Sequence, residues 1–204
     1  MPGEDAHLVG AEAVERAKTW LEATMRVSQA YTNVSNRSWA RRLTLRWPHG
    51  DRREFSYDLG GLFRGGEWDG EMFCAEVKWR KNASDQGTEY RAYLAKCYVA
   101  LAEHHALSEH FLWISWAPFR ASEWDQLASQ DEIRRAVLGQ STRVLGTDDP
   151  DEAVGLIKGD VVEELTQRLW KPLVMSERQE QLVPLDEWRA VVAEHCTKQK
   201  DMSW

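Results

Sequence analysis

Apolar residues in the first part of the chain follow two periods, that of helices and that of strands. Val14, Ala17, Leu21 and Met25 recur at spacings of three and four, which is the period of a helix with one buried face. Residues 42–47 alternate between polar and apolar side chains, as a half-buried strand does. These periods predict, in order, a helix over 6–25, strands over 42–47, 53–58 and 72–79, a helix over 88–105 and a strand over 110–117.

The remaining chain predicts mainly helices, over residues 122–138, 151–170 and 185–196, with a short edge strand over 142–145. The polar segment 28–38 and the glycine-rich segment 59–70 predict loops. We therefore expect an α/β fold in which helices flank a mixed central sheet. A core of the order α-β-β-β-α-β would occupy residues 1–120, and a mainly helical extension, residues 121–204, would pack on it.

The composition indicates the class of protein but does not indicate an activity. Cys74, Cys97 and Cys196 lie far apart and form no CxxC motif, which is typical of reduced intracellular thiols. No apolar run approaches the roughly 20 residues that a membrane span needs. The first residues are acidic where a signal peptide would be basic. We therefore expect a cytoplasmic protein that has no membrane partner.

The net charge of −7 disfavours contact with phosphates, but the charges are segregated along the chain. Residues 37–53 contain six arginines and a single acid, Asp51. Residues 147–187 contain eleven acids and four bases. The basic segment is either a solvated face or a surface for nucleic acid, and the acidic segment is either a solvated helical surface or a docking face.

Glu76 and Lys78 lie two residues apart at the end of an otherwise apolar predicted strand. Side chains at such a spacing project from the same face of a strand. Removing either charge from water costs several kcal/mol unless a partner compensates for it. Either the two side chains pair with each other, or the carboxylate holds a divalent cation while the lysine faces a phosphate or an attacking water.

A metal site of this kind needs a second acid. Asp58 ends the second predicted strand, and Asp69 and Glu71 are alternatives closer in sequence to Glu76. A simple hairpin between the second and third predicted strands would not bring Asp58 next to Glu76. The segment 59–70 would have to introduce a bulge or a shifted register.

The three residues Asp58, Glu76 and Lys78 resemble the signature of the PD-(D/E)xK nucleases, in which an acid precedes an E-x-K motif. The family core has the element order that residues 6–117 predict. Tyr57 stands where the proline of the family name would be. The resemblance covers a little over half of the chain and leaves residues 118–204 unassigned.

The first predicted helix is also similar to that of archaeal Holliday-junction resolvases and Mrr-type restriction endonucleases. In those proteins a glutamate often follows a glycine in this helix, and the segment Gly10–Arg16 fits this pattern. Glu15 is our choice for that glutamate, and Glu12 is the alternative.

The resemblance implies a Mg²⁺- or Mn²⁺-dependent phosphodiesterase that cleaves DNA through metal-activated water, in antiviral defence or recombination. Its metal ligands would be Asp58, Glu76 and the Val77 carbonyl, because Mg²⁺ prefers oxygen ligands. Lys78 would orient the water and stabilise charge on the phosphate, and Glu15 would hold water or a second ion. The residues expected to contact the nucleic acid are Arg41, Arg42, Arg80, Lys81, Gln86 and Tyr90.

Two other functions stay open at this point. An interaction subunit would keep the nuclease fold without its chemistry, an alternative suggested by the net acidity and the eleven tryptophans. Residues 121–204 would then form a homodimer or bind a partner protein. A nuclease for RNA or branched DNA is the other alternative.

Overall fold

The computed structural model describes residues 2–51, 53–79, 85–103 and 109–181, with side chains described from residue 10 onward. A mixed sheet lies at the centre, with helices on both faces. Its strands are β1 (Val27–Thr32), β4 (Leu59–Phe63), β5 (Met72–Lys78), β6 (His110–Ser115) and β7 (Leu173–Val174), and β2 (Thr44–Arg46) and β3 (Glu54–Ser56) form a separate hairpin. The helices are α1 (Pro2–Thr24), α2 (Arg37–Leu43), α3 (Gln86–Glu103), α4 (Gln130–Leu138), α5 (Ser141–Val144), α6 (Pro150–Leu156), α7 (Gly159–Arg168) and α8 (Glu177–Gln181).

The strands of the central sheet have the order β1-β4-β5-β6-β7. The pairs β1/β4 and β4/β5 are antiparallel, and the pairs β5/β6 and β6/β7 are parallel. Helix α3 connects β5 to β6, since parallel neighbours need a long crossover connection. The chain therefore has a mixed α/β fold with helices against the sheet, as the sequence predicts.

Strand β5 divides the apolar core into two layers. Phe73, Ala75 and Val77 point to one face of the sheet and pack in the same cluster as Ala13, Ala17 and Leu21 of α1. Cys74 points to the other face, where the aromatic and aliphatic side chains of α3 pack. Glu76 alternates with Ala75 and Val77, so it shares the α3 side of the sheet.

The segment between β1 and β4 adds a small layer next to α3. Asn36 begins α2, because its side chain accepts hydrogen bonds from the N–H groups of Ser38 and Trp39. The hairpin β2/β3 follows, and its buried Leu45 and Phe55 join the α3 core. The N–H of Tyr57 donates to the carbonyl of Leu43, which ties the end of α2 to the residue before Asp58.

The C-terminal helices cover the outer side of α3, which α4 and α7 both contact. Ser129 caps α4, and Asp149 caps α6 directly before Pro150. The break between α6 and α7 falls at Ile157 and Lys158. No helix in these described parts of the chain is long and apolar enough to cross a membrane.

Four predictions for the central sheet are wrong. The segments predicted as the first two strands of the meander, 42–47 and 53–58, contain only the short hairpin, and Arg42 and Leu43 end a helix. Their places in the sheet are taken by β1 and β4, which lie in the predicted loops 28–38 and 59–70. The two glycines of β4 led to the prediction of a loop in this segment. They are needed because a Cβ at Gly61 would lie 2.4 Å from the carbonyl oxygen of Gln29.

Predictions for the C-terminal part also need correction. Residues 141–144 form a helix, and the edge strand is Leu173–Val174. The predicted helix 122–138 is a 3-10 segment, Ala121–Gln126, followed by α4. The predicted helix 151–170 is divided into α6 and α7 because Gly159 begins a new helix. The predicted helix 185–196 lies outside the described residues.

Candidate functional site

Asp58 lies immediately before β4, at the end of the central sheet where β5 ends. Its N–H donates to the carbonyl of Ala75 at 3.0 Å, and its carboxylate accepts from the N–H of Val77 at 2.9 Å. Asp58 therefore contacts the residues on both sides of Glu76. Antiparallel pairing of β4 with β5 causes this proximity, because the start of one strand meets the end of the other.

Glu76 is the buried acid of the site, and its side chain is 7% exposed. The Lys78 ammonium lies 2.8 Å from its Oε1 atom. The Lys96 ammonium lies 3.0 Å from Oε2 and 3.2 Å from Oε1, and it also donates to the carbonyl of Ser56 at 3.3 Å. Two ammonium groups thus compensate for one buried carboxylate, which satisfies the demand that a charge away from water be paired.

The charges of this cluster influence one another. Burial and then the charge of Glu76 raise the pKa of Asp58 to about 6, although Val77, Lys78 and Lys96 act in the opposite direction. Burial lowers the pKa of Lys78, but the charges of Glu76, Asp58 and Glu89 outweigh that effect and leave the pKa raised. The site accordingly favours a cationic lysine and resists a second negative charge on Asp58. A divalent cation would relieve that resistance.

The donor set of this cluster fits a hard divalent cation. Asp58 and Glu76 provide carboxylate oxygens, and the Val77 carbonyl belongs to the residue between Glu76 and Lys78. Among the described residues, no group of three or more His, Cys, Asp or Glu side chains could hold a metal ion together. Mg²⁺ keeps several of its waters and needs only one or two carboxylates from a protein, so two acids meet its requirement.

Asp69 and Glu71, the alternative acids, lie at the other end of the β4/β5 pair. Asp69 accepts a hydrogen bond from the N–H of Gly65, and Glu71 lies 2.7 Å from the Nε2 atom of His110. Glu71 precedes the first residue of β5, whereas Glu76 is near its last. Neither Asp69 nor Glu71 can share an ion with Glu76. Of the three candidate acids, Asp58 is the one that the fold brings close to Glu76.

Glu15 and Glu12 are on α1, whose buried residues pack on the opposite face of the sheet from Glu76. Both are exposed, and both line a cavity of about 290 Å³ with Arg16, Trp20 and Glu180. The guanidinium of Arg16 pairs with Glu180 and lies 4.4 Å from the ring centroid of Trp79. The role of Glu15 in the site stays a prediction, because no described contact joins it to Asp58 or Glu76.

The residues predicted to contact nucleic acid have different surroundings. Arg41 and Arg42 are exposed at the end of α2. Gln86 is buried at the start of α3, and neither atom of its amide has a partner among the described residues. Tyr90 is fully buried and its hydroxyl donates to the Leu127 carbonyl, so the prediction that it touches nucleic acid is wrong. Arg80 and Lys81 lie outside the described residues.

Lys96 is the residue of the site that sequence reasoning missed. It lies in α3, and the segment from Tyr93 to Ala102 has no other charged side chain. A single lysine in such an apolar stretch of a helix requires a partner, because an unpaired ammonium would be costly to bury. That isolation was the available signal, but nothing in the local sequence identifies Glu76 as the partner.

Comparisons with known proteins leave the family of the chain open. No protein-family model and no curated protein matches it. Among solved structures, the chain is similar to a Cap4 SAVED/CARF-domain containing receptor from Moraxella osloensis, with a TM-score of 0.36 and 9% sequence identity. The similarity covers 85% of this chain and 34% of that receptor. A likeness this weak supports neither a shared fold nor a shared activity.

Proposed function

We propose that this chain is a Mg²⁺- or Mn²⁺-dependent phosphodiesterase that cleaves DNA, built on a restriction-endonuclease-like core. The observation that carries the proposal is the hydrogen bonding of Asp58 around Glu76, with two lysines at the same carboxylate. The order of α1, β1, β4, β5, α3 and β6 agrees with the α-β-β-β-α-β core expected for such nucleases. We further propose a cytoplasmic location, in which the buried thiols of Cys74 and Cys97 would stay reduced.

The chain would use each side chain of the cluster differently. A bound cation would polarise the scissile phosphate. Asp58 and Glu76 would position that cation, and the Val77 N–H would fix the orientation of the Asp58 carboxylate. Lys78, which is partly exposed, would turn towards the phosphate and stabilise negative charge that develops there. Lys96 stays beneath Glu76 and would hold its carboxylate in place.

The test is cleavage of plasmid DNA by the purified chain in Mg²⁺ or Mn²⁺. Asp58→Asn, Glu76→Gln and Lys78→Met should each lower the rate by at least about 100-fold, the scale of losing one electrostatic group in an active site. Lys171→Met is the matched control, since Lys171 pairs with Asp125 at exposed positions on the surface. Parallel assays with single-stranded, branched and RNA substrates identify the preferred nucleic acid. Equal cleavage by the wild type and the Glu76→Gln variant would rule out the proposal.

The alternative function, a nuclease-fold interaction subunit, is favoured by one specific observation. The ammonium groups of Lys78 and Lys96 already compensate for the charge of Glu76, so the carboxylate does not need a metal ion for this purpose. Under this alternative, neither Mg²⁺ nor Mn²⁺ would raise the melting temperature, and the chain would purify with a partner protein. Stabilisation by metal that Glu76→Gln abolishes would favour the phosphodiesterase.

A further inference from the structure

A cavity of about 530 Å³ opens at the end of the sheet opposite to Asp58 and Glu76. Its aromatic walls are Phe63 at the end of β4, Trp68 and Trp170, and Met25 and Arg26 complete the entrance on the α1 side. This volume is within the range of small-molecule sites, about 300–1,000 Å³. Nothing in the proposed phosphodiesterase reaction uses these residues.

Hydrogen bonds hold Trp170 in one orientation. Its indole N–H donates to Nδ1 of His110 at 3.3 Å, and Nε2 of the same histidine lies 2.7 Å from Glu71. The Phe63 ring stacks on Trp170 with a centroid distance of 5.4 Å and an interplanar angle of 10°. The indole plane is therefore fixed before any ligand arrives, which lowers the entropic cost of binding.

Trp68 forms the second wall and is 39% exposed, which is unusual for a side chain of its size. It ends the 3-10 helix Gly66–Trp68, and its ring centroid lies 5.2 Å from that of Trp170. The surrounding loop is tied to β4, because the Gly70 N–H donates to the Phe63 carbonyl at 3.1 Å. An ordered loop thus presents a large aromatic face to the cavity.

Arg26 supplies positive charge at the entrance. Its guanidinium lies against Gly66, where an added Cβ would be 3.1 Å from Nη1. Arg26 is exposed and has no ion pair with another described residue. Glu67 is the one acid among the described residues that line the cavity, and it forms no ion pair with Arg26. The Arg26 guanidinium is therefore available to pair with an anionic group of a ligand.

We propose that this cavity binds a nucleobase that carries a phosphate, with the base against Trp68 and Trp170 and the phosphate at Arg26. Aromatic side chains bind every base through its π-face, and a guanidinium pairs with phosphate oxygens through two N–H groups. A free mononucleotide and an unpaired base of a nucleic-acid strand share this chemistry.

The cavity is independent of the Asp58–Glu76 cluster. The strand β4 separates Asp58 from Phe63, a span of about 17 Å at roughly 3.3 Å per residue. Failure of the phosphodiesterase proposal would therefore leave this one standing, and the reverse also holds.

Isothermal titration calorimetry of the full chain tests the proposal with adenosine and guanosine 5′-monophosphates. A single-stranded oligodeoxyadenylate provides the second arm, and adenosine without phosphate provides the third. Trp68→Ala should weaken binding of the monophosphates at least about fivefold. Arg26→Gln should weaken it about tenfold and reduce its salt dependence, with little effect on adenosine. Arg143→Gln, an exposed arginine on α5, is the charge-matched control.

The outcomes separate the two sources of ligand. Binding of the monophosphates that both variants weaken supports a site for free nucleotides. Binding of the oligonucleotide alone, again weakened by both variants, supports a site for an unpaired base in a strand. Absence of binding in both arms, or binding that Trp68→Ala and Arg26→Gln leave unchanged in variants that melt as the wild type does, overturns the proposal.

Discussion

Glu76 has a carboxylate that is almost removed from water and is held by ammonium groups from two different elements, β5 and α3. Removing one partner from a buried ion pair costs about 3–5 kcal/mol, because the remaining charge loses its compensation. In this cluster the loss is smaller when Lys96 is removed, since Lys78 still contacts the same carboxylate. Lys96 therefore contributes only the part of the compensation that Lys78 does not already provide.

Lys96→Met should lower the free energy of unfolding of the metal-free protein by about 1–3 kcal/mol. If the proposed cation binds, Mg²⁺ or Mn²⁺ should also raise the melting temperature of the variant more than that of the wild type, since the cation replaces a lost positive charge. Chemical denaturation in EDTA and thermal melts with added metal measure the two effects. Lys171→Met should change the stability by less than about 0.5 kcal/mol, because Lys171 and its partner Asp125 are both exposed on the surface. Equal stability losses in the two variants would contradict this prediction.

At the scale of elements, Glu132 joins α4 to α3 and to the segment after β6. Its carboxylate is 1% exposed and contacts Arg120 and Arg91, with 2.8 Å to the Nε atom of Arg91. Burial acts to raise the pKa of Glu132, but the hydrogen bonds from Arg120 and Arg91 outweigh it and leave the pKa lowered. Arg120 itself has a positive φ of 45°, so this contact is made at the expense of a strained backbone.

Glu132→Gln should lower the free energy of unfolding by about 3–5 kcal/mol, because the guanidinium groups of Arg91, Arg120 and Arg135 lose the charge that they share. Glu123→Gln is the matched control, since Glu123 pairs with the same Arg120 but is more than half exposed. It should cost no more than about 1 kcal/mol. Urea denaturation of both variants gives the comparison, and a Glu132→Gln protein as stable as the control would show that packing alone holds α4 on α3.

The correctly predicted elements have a different physical environment from the elements that were missed. Helix α3 and strands β5 and β6 are buried over most of their length, so their apolar residues reveal their period. Strand β4 contains Gly60 and Gly61, which are typical of loops but here allow Leu43, Phe73 and β1 to approach closely. Strand β1 is an edge strand whose exposed side chains are polar. Local sequence could not distinguish either strand from a loop.

In the candidate site, too, some contacts follow from the local sequence and others do not. The E-x-K spacing predicted that Glu76 and Lys78 would project together, and the ion pair between them agrees with that geometry. The approach of Asp58 could not be derived from the predicted strands, because it depends on the antiparallel pairing of β4 with β5. The approach of Lys96 depends on the crossover of α3 over the sheet. Both are properties of the tertiary fold.

The net charge of −7 opposes the binding of a nucleic acid by the molecule as a whole. Arg41 and Arg42 are exposed, and the carbonyl of the next residue, Leu43, accepts from the N–H of Tyr57, which precedes Asp58. The acidic helices α6 and α7 belong to the other part of the chain and pack around α3 and α4. A nucleic acid would thus meet positive charge on the surface of α2 and repulsion at α6 and α7.

This arrangement predicts that a few arginines control binding in spite of the overall acidity. The double variant Arg41→Gln/Arg42→Gln should weaken binding of a DNA duplex and lower the slope of log K against log salt by about two, one for each lost phosphate contact. The double variant Arg143→Gln/Arg178→Gln changes the net charge equally, at exposed positions on α5 and α8, and should leave the slope unchanged. Fluorescence anisotropy in EDTA, across a series of salt concentrations, measures both slopes without cleavage. If the two double variants behaved alike, binding would follow net charge, and the basic segment would be only a solvated face.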